Sequence, residues 1–254
     1  MFTELAAIDP LALTLAVLGI VLGGLVKGAT GAGAPVVAVP MLALAFDVPT
    51  AVTIFAIPNL FSNIWQSWSF RAHHLPRGFT MPFVIAAIAG AALGTVMLVS
   101  LPPQALMVGT ACVCIAFIAF RMARPGWVLP LAAATRVTLP VGVVAGVLQG
   151  AIGVSAPVSV TFLSAMKLDR PVFIATISAI FVAMSLVQLP MMAGLGLMTP
   201  MRVAFGLGTL AILLATMPIG SALARRWSPK VFNTTILIML AVIAARLLYD
   251  AATH

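Results

Sequence analysis

One short pattern, a glycine-rich segment that ends in proline, occurs twice in the chain and constrains its fold more than any other feature. The first copy is Lys27-Gly28-Ala29-Thr30-Gly31-Ala32-Gly33-Ala34-Pro35, and the second is Gln149-Gly150-Ala151-Ile152-Gly153-Val154-Ser155-Ala156-Pro157. The same displacement along the chain superposes Asp47 on Asp169 and Gln66 on Gln188. Because each copy interrupts an apolar stretch, we interpret the pair as two broken helices that face one site.

The apolar stretches around these segments decide the environment of the chain. Hydrophobic residues make up 63% of the 254 positions and charged residues 7%, whereas about a quarter of the residues of soluble domains are charged. A membrane-spanning helix needs roughly 20 apolar residues, so the chain has material for about eight to ten membrane segments. The sequence therefore predicts an all-α, polytopic protein embedded in a lipid bilayer. Its basic residues lie in short loops, which indicates membrane-flanking charges and no nucleic-acid partner.

The order of the apolar segments repeats along the chain. A first repeat, residues 1–124, and a second, residues 125–254, are each predicted to hold a broken or re-entrant helix pair followed by three full spans. The short runs are 11–26 and 36–46 in the first repeat, and 137–148 and 158–166 in the second. A re-entrant hairpin and two thin spans both fit this pattern.

Loop charges predict that the two repeats are inverted relative to each other. The loop after the first long span carries Arg71 and Arg77, and the next loop, 101–104, is uncharged. In the second repeat the loop after the long span carries only Arg202, and the next is basic, with Arg225, Arg226 and Lys230. Since Lys and Arg favour cytoplasmic loops, equivalent loops are expected on opposite sides of the membrane.

The same rule predicts how the chain is oriented in a cell (inner) membrane. The N-terminus holds Glu4 and Asp9 and is expected outside the cell, without a cleaved leader. The central linker holds Arg124 and Arg136, next to Arg121, and is expected in the cytoplasm. The prediction is therefore a multi-pass protein with its basic linker inside.

Irregular backbone at membrane depth predicts a protected cavity, since unpaired N–H and C=O groups are costly in hydrocarbon. Broken helices from inverted repeats commonly meet near the midplane and present free N–H groups to an anion. Pro35 and Pro157 stand where first helical residues would, so Ala34 and Ala156 are the expected N-caps, and alanine has no capping side chain. The candidate binding residues at the breaks are Gly28, Thr30, Gly31, Gly33, Ala34, Pro35 and Val36, and Gly150, Gly153, Ser155, Ala156, Pro157 and Val158.

The glycines and the neighbouring lysine each have an alternative explanation. Gly24 and Gly28, like Gly146 and Gly150, have the spacing that lets helices pack closely in membranes. Lys27 is a functional candidate as a cation within an apolar region, and it would attract a small anion. Alternatively, its apolar stem could carry the ammonium group to an interface.

Polar side chains form a stripe along each long span. Helical spacing places Asn59, Asn63 and Gln66 on one face, and the second repeat has a similar set. We expect both stripes to face a cavity and contact the substrate, and the alternative is hydrogen bonding between helices. The further candidates from the second repeat are Gln149, the counterpart of Lys27, and Ser178, Ser185 and Gln188.

No residue pattern in the chain indicates catalysis or metal binding. H-E-x-x-H and G-x-S-x-G motifs are absent, and Cys112 and Cys114 are spaced C-x-C inside an apolar run. His73 and His74 lie in a basic loop without further ligands at metal spacing. We therefore expect no enzyme, with no catalytic residue, metal or cofactor. An intramembrane enzyme and a membrane scaffold are the rival classes.

The two glycine-rich segments that end at Pro35 and Pro157 resemble those of the TauE/SafE sulfite exporter family, also called toluene-sulfonate uptake permeases. The likeness extends over nearly the whole chain. It implies transport of sulfite, sulfonates or related organosulfur anions as the small-molecule partner. With the predicted site, the expected activity is export by alternating access around a midplane site between two helix N-termini. An anion channel or facilitator is the alternative, and the sequence makes no prediction of oligomeric state.

Overall fold

The computed structural model describes residues 10–123, 126–224 and 229–253. Those residues form α-helices and one 3₁₀ turn, Arg71–His73, and contain no strand. The helices are α1 Pro10–Thr30, α2 Ala34–Ala45, α3 Val48–Ser69, α4 Arg77–Ser100, α5 Pro103–Ala123, α6 Leu131–Arg136, α7 Thr138–Ile152, α8 Ala156–Ala165, α9 Arg170–Gly194, α10 Pro200–Ala224 and α11 Pro229–Thr253. The prediction of an all-α fold is confirmed.

Six of the described helices are long and apolar enough to cross a membrane, namely α1, α3, α4, α5, α9 and α10. Three apolar helices are shorter, with 12 residues in α2, 15 in α7 and 10 in α8. The prediction of a polytopic membrane protein is therefore confirmed. The orientation rests partly on Glu4, Asp9, Arg124, Arg225 and Arg226, which lie outside the described residues, and it stays a prediction.

The first glycine break is shorter than the sequence suggests. The apolar run expected to end at residue 26 continues as helix α1 to Thr30, and only residues 31–33 are non-helical. Lys27 and Gly28 therefore belong to the helix, and both are buried. With 21 residues, α1 is about 31 Å long, enough for a full crossing, whereas the 12 residues of α2 span only about 18 Å.

The five helices α1 to α5 correspond in order to α7 to α11, with α6 in the linker between the two sets. Their packing partners correspond as well. Helix α1 packs on α10 as α7 packs on α4, helix α3 on α10 as α9 on α4, and α2 on α11 as α8 on α5. Each of these contacts joins the two repeats, so the repeats are interleaved. The predicted boundary between residues 124 and 125 falls outside the described residues.

The equivalent long helices α3 and α9 lie side by side in opposite directions. Asn59 of α3 contacts Ser185 of α9, and Gln66, seven residues further along α3, contacts Ser178, seven residues earlier on α9. Equivalent helices of an inverted pair are expected to meet in this way.

Glycines on both sides of the α4–α7 interface bring the two backbones into contact. A Cβ added at Gly146 would lie 2.7 Å from the Ala91 nitrogen and 2.9 Å from the Gly90 carbonyl carbon. In the equivalent α1–α10 interface, a Cβ at Gly28 would lie 2.9 Å from the Met217 Cα. Close helix packing, the alternative explanation of these glycines, is therefore what they do in the structure.

Asp47 and Asp169 precede the equivalent helices α3 and α9, but only the first caps its helix. The Asp47 carboxylate accepts the Thr50 N–H at 2.6 Å, whereas the Asp169 side chain accepts no such bond. We expect Asp47→Ala to lower the free energy of unfolding by about 1 kcal/mol, and Asp169→Ala to lower it less. Denaturant unfolding of both variants in detergent measures the difference, and equal losses would contradict a capping role.

Candidate functional site

Each of the two breaks ends at a helix start, and the capping residues differ in backbone conformation. Gly33 precedes α2 in a left-handed conformation (φ 96°), and Ser155 precedes α8. Ala34 and Ala156 are therefore the first helical residues, and the prediction that they are the N-caps is wrong. The left-handed Gly33 turns the chain into the helix one residue earlier. The proline that follows is tolerated because the N–H groups of a first turn need no intrahelical partner.

Neither helix start is capped by a side chain. Gly33 has none to offer, and the Ser155 hydroxyl donates instead to Gln149 Oε1 at 3.0 Å. The Val36 amide donates to the Gly33 carbonyl at 3.1 Å. The Val158 amide likewise donates to the Ser155 carbonyl at 3.0 Å. Within the described chain, the amides of Ala34 and Ala156 make no hydrogen bond, and both residues are buried.

A cavity of about 70 Å³ lies between the two helix starts. Gly33 and Ala156 both line it, so it touches the two breaks at once. Arg121, from the last turn of α5, is the one charged residue among the described residues that line it. The remaining walls are Val26, Thr30, Ala32, Val36, Phe117, Val160 and Leu237. We call this space the inner cavity.

A larger and more open cavity, of about 420 Å³, adjoins the inner cavity and shares Thr30, Arg121 and Val160 with it. Lys167 and Arg170 also line it, which brings three cations to one space. The other lining residues are Leu163, Ser164, Leu168 and Phe173. We call this space the basic vestibule. It lies beside the central linker, because Leu129 donates its N–H to the Ala165 carbonyl at the end of α8, at 2.8 Å.

Lys27 lies apart from both cavities, in a buried polar network. Its ammonium donates to Asn63 Oδ1 at 2.7 Å, and the side chain is 1% exposed. Asn63 donates to the Asn59 side-chain oxygen at 2.9 Å, and Asn59 donates to the Ser185 hydroxyl at 3.2 Å. The ammonium group therefore does not reach an interface, which excludes that alternative. The hydrogen bonds instead link α1, α3 and α9.

The second repeat builds a matching network around Gln149. Its side-chain amide donates to Gln188 Oε1 at 3.3 Å, and Gln188 donates back to the Gln149 carbonyl at 3.1 Å. Ser178 donates to Gln66 at 3.5 Å. All members are buried. The polar stripes thus take part in hydrogen bonding between helices, and contact with a substrate stays a prediction for them.

The structure divides the predicted site residues among several places. Thr30, Gly33, Val36 and Ala156 line the inner cavity. Pro157 and Val158 line a separate apolar cavity of about 300 Å³ between α5, α7 and α8. Ala34 and Pro35 begin α2 and are buried. The remaining residues pack against protein or belong to the polar networks: Gly28, Gly31, Gly150, Gly153, Lys27, Asn59, Asn63, Gln66, Gln149, Ser155, Ser178, Ser185 and Gln188.

Arg121, Lys167 and Arg170 are not among the residues predicted to bind substrate. In the sequence they are basic residues at the ends of apolar runs, the pattern of ordinary membrane-flanking charges. Only the packing of α5, α8 and α9 brings them together around one cavity.

Comparison with known proteins agrees with this architecture. The family model described as "Sulfite exporter TauE/SafE" matches residues 15–247, a range that takes in both breaks and all the residues of the inner cavity and the basic vestibule. No curated protein and no solved structure matches the chain. Because the match covers nearly the whole sequence, the chain belongs to the TauE/SafE sulfite exporter family.

Proposed function

We propose that the protein exports small organosulfur oxyanions, such as sulfite or a sulfonate, across a cell membrane. Membership of a family of membrane sulfite exporters gives the general class. The inner cavity carries the specific proposal, because both helix starts and one guanidinium group surround it. The unbonded amides of Ala34 and Ala156 belong to helix N-termini, which favour anions, and the Arg121 guanidinium suits oxyanions.

The interleaved packing supports alternating access as the mechanism. Glycines let α1 pack closely on α10, and glycines in α4 and α7 let those two helices pack closely on each other. We propose that these pairs move as bodies, so that each moving body contains helices from both repeats, residues 1–124 and 125–254. The two broken helices meet between these bodies, where rocking would expose the inner cavity to each side in turn.

The position of the basic vestibule supports export as the direction. It lies on the linker side of the protein, which the loop charges predict to be cytoplasmic. An anion collected there leaves the cell down the electrical gradient, which favours export by about 2.3 kcal/mol per charge per 100 mV. The proposed export thus requires no carboxylate relay within the membrane.

Flux through proteoliposomes tests the proposed function. Vesicles that contain the purified protein and labelled sulfite, or a small labelled sulfonate, are expected to lose the label faster than empty vesicles. The rate should saturate with anion concentration, because each transported anion first occupies a binding site. Absence of any protein-dependent flux of sulfite and sulfonates would overturn the proposal.

Filling the passage between the two cavities is expected to stop this flux. Val160 lines both cavities and is only partly buried, so Val160→Phe has room to fold while the ring enters the passage. We expect flux near that of empty vesicles, with a melting temperature close to that of the unmodified protein. Val96→Phe is the matched control, because Val96 is 46% exposed on α4. Equal flux in the two variants would place the transport path elsewhere.

A further inference from the structure

We infer that the basic vestibule is itself an anion-binding site, which collects small oxyanions from the linker side before they reach the inner cavity. The inference rests on the proposed function and adds a second, outer site to it. Its ligand class follows from three cations, Arg121, Lys167 and Arg170, around one open space. The shared residues Thr30 and Val160 connect this space to the inner cavity.

The charged residues that are described in the lining of the basic vestibule all have the same sign. None of its described lining residues is a carboxylate, and Asp169, although adjacent to Arg170 in sequence, does not line it. A cleft lined by one sign of charge with apolar walls concentrates ions of the opposite sign and raises their rate of capture. The larger volume, about 420 Å³ against 70 Å³, suits an anion that still carries part of its water.

Two of the three cations are anchored by the protein. Arg170 Nη2 donates to the Gly28 and Ala29 carbonyls at 3.3 and 3.4 Å, at the C-terminal end of α1. The Arg121 guanidinium lies 5.9 Å from the centre of the Phe117 ring. Anchoring holds both positive charges at the vestibule wall.

The third cation, Lys167, lies at a position where glycine would be favoured. Among the described residues it alone has a positive φ without being a glycine (φ 52°). Its N–H donates to the Ser164 carbonyl at 3.2 Å and so closes the end of α8. Left-handed helix ends are usually glycine because a side chain is strained there. The positive charge that Lys167 brings to the basic vestibule accounts for a lysine, in place of a glycine, at this position.

Lys167→Gly tests the outer site without threatening the fold, because it removes the charge and also relieves the backbone. The melting temperature should equal or exceed that of the unmodified protein. In proteoliposomes at low ionic strength, we expect the sulfite concentration for half-maximal flux from the vestibule side to rise about 3- to 10-fold, with the saturated rate unchanged. In about 0.5 M salt the difference should fall below about twofold, since salt screens the charges.

Two further variants separate capture in the basic vestibule from a general loss of charge. Lys167→Arg keeps the charge and should restore most of the half-saturation value. Arg136→Gln removes one exposed charge from α6, on the same side but outside the vestibule, and should leave the value unchanged. An unchanged value in Lys167→Gly, or an equal rise in Arg136→Gln, would overturn the inference while leaving the proposed function intact.

A binding measurement tests the outer site independently of flux. Sulfate added at constant ionic strength, with chloride as the balancing ion, is expected to raise the melting temperature of the unmodified protein more than that of Lys167→Gly. An equal rise in both proteins would overturn the outer site even if sulfite flux were observed. A difference in this rise without any sulfite flux would support anion binding in the basic vestibule and overturn the proposed export.

Discussion

Gly146→Ala is expected to destabilise the protein by about 1 to 3 kcal/mol, the usual effect of forcing an extra group into a packed interior. The added methyl group would lie 2.7 Å from the Ala91 nitrogen and 2.9 Å from the Gly90 carbonyl carbon. Both neighbours are backbone atoms of α4, so no side chain can rotate away. The two helices would have to separate along the interface that joins the repeats.

Gly109→Ala provides the same chemical change at a helical glycine of α5, where a Cβ would meet nothing within 4 Å. That variant should be neutral or more stable by up to about 1 kcal/mol, because alanine favours the helix more than glycine does. Thermal unfolding in detergent, followed by circular dichroism, compares the two. Equal melting temperatures would mean that the α4–α7 contact is looser than the structure shows.

Asn63→Leu is expected to destabilise the protein more than Lys27→Met does. Asn63 Oδ1 accepts the buried Lys27 ammonium at 2.7 Å, and its loss leaves that group without this partner in an apolar interior. Leaving a buried polar group without its partner typically costs about 1 to 3 kcal/mol, and more when that group is charged. Lys27→Met instead removes the charge and leaves a neutral carbonyl oxygen, at a cost of about 1 to 3 kcal/mol.

The double variant distinguishes this coupling from independent effects. If the two side chains act as a pair, Lys27→Met together with Asn63→Leu should be no less stable than Asn63→Leu alone. Denaturant unfolding of the four proteins gives the interaction energy, and simple additivity would contradict the pairing. Flux through folded Lys27→Ala protein tests the predicted role of Lys27 in attracting the anion. An unchanged rate would remove Lys27 from the anion path.

The duplication in the sequence was sufficient to predict the general architecture. Two copies of a glycine-proline segment, each followed by three apolar runs, predict the five-helix order that the structure shows in each repeat. The starts of α3 and α9 were also predictable, since each follows an aspartate and has proline in its first turn, although only Asp47 caps its helix. These features are local, and each depends on residues close together in the chain.

The features that could not be predicted from the sequence depend on contacts between distant segments. The Lys27 ammonium is paired with a residue 36 positions away, and no spacing rule separates a buried lysine from one that reaches an interface. Arg121 has the sequence context of a flanking charge, yet it lines the inner cavity. The start of α2 was misplaced by one residue because the left-handed turn at Gly33 was not predicted from its surroundings.

During synthesis, the interleaving of the two repeats delays completion of the fold. Helix α4 is synthesised before its partner α7, and the number of residues between α1 and its partner α10 is larger still. Until those partners are made, Gly90 and Gly24 lack the close contacts with α7 and α10 that they have in the folded protein. Insertion into the bilayer and tight assembly are therefore separate stages for this chain. A truncated product that ends before α7 should remain loosely packed and be a target for membrane proteases.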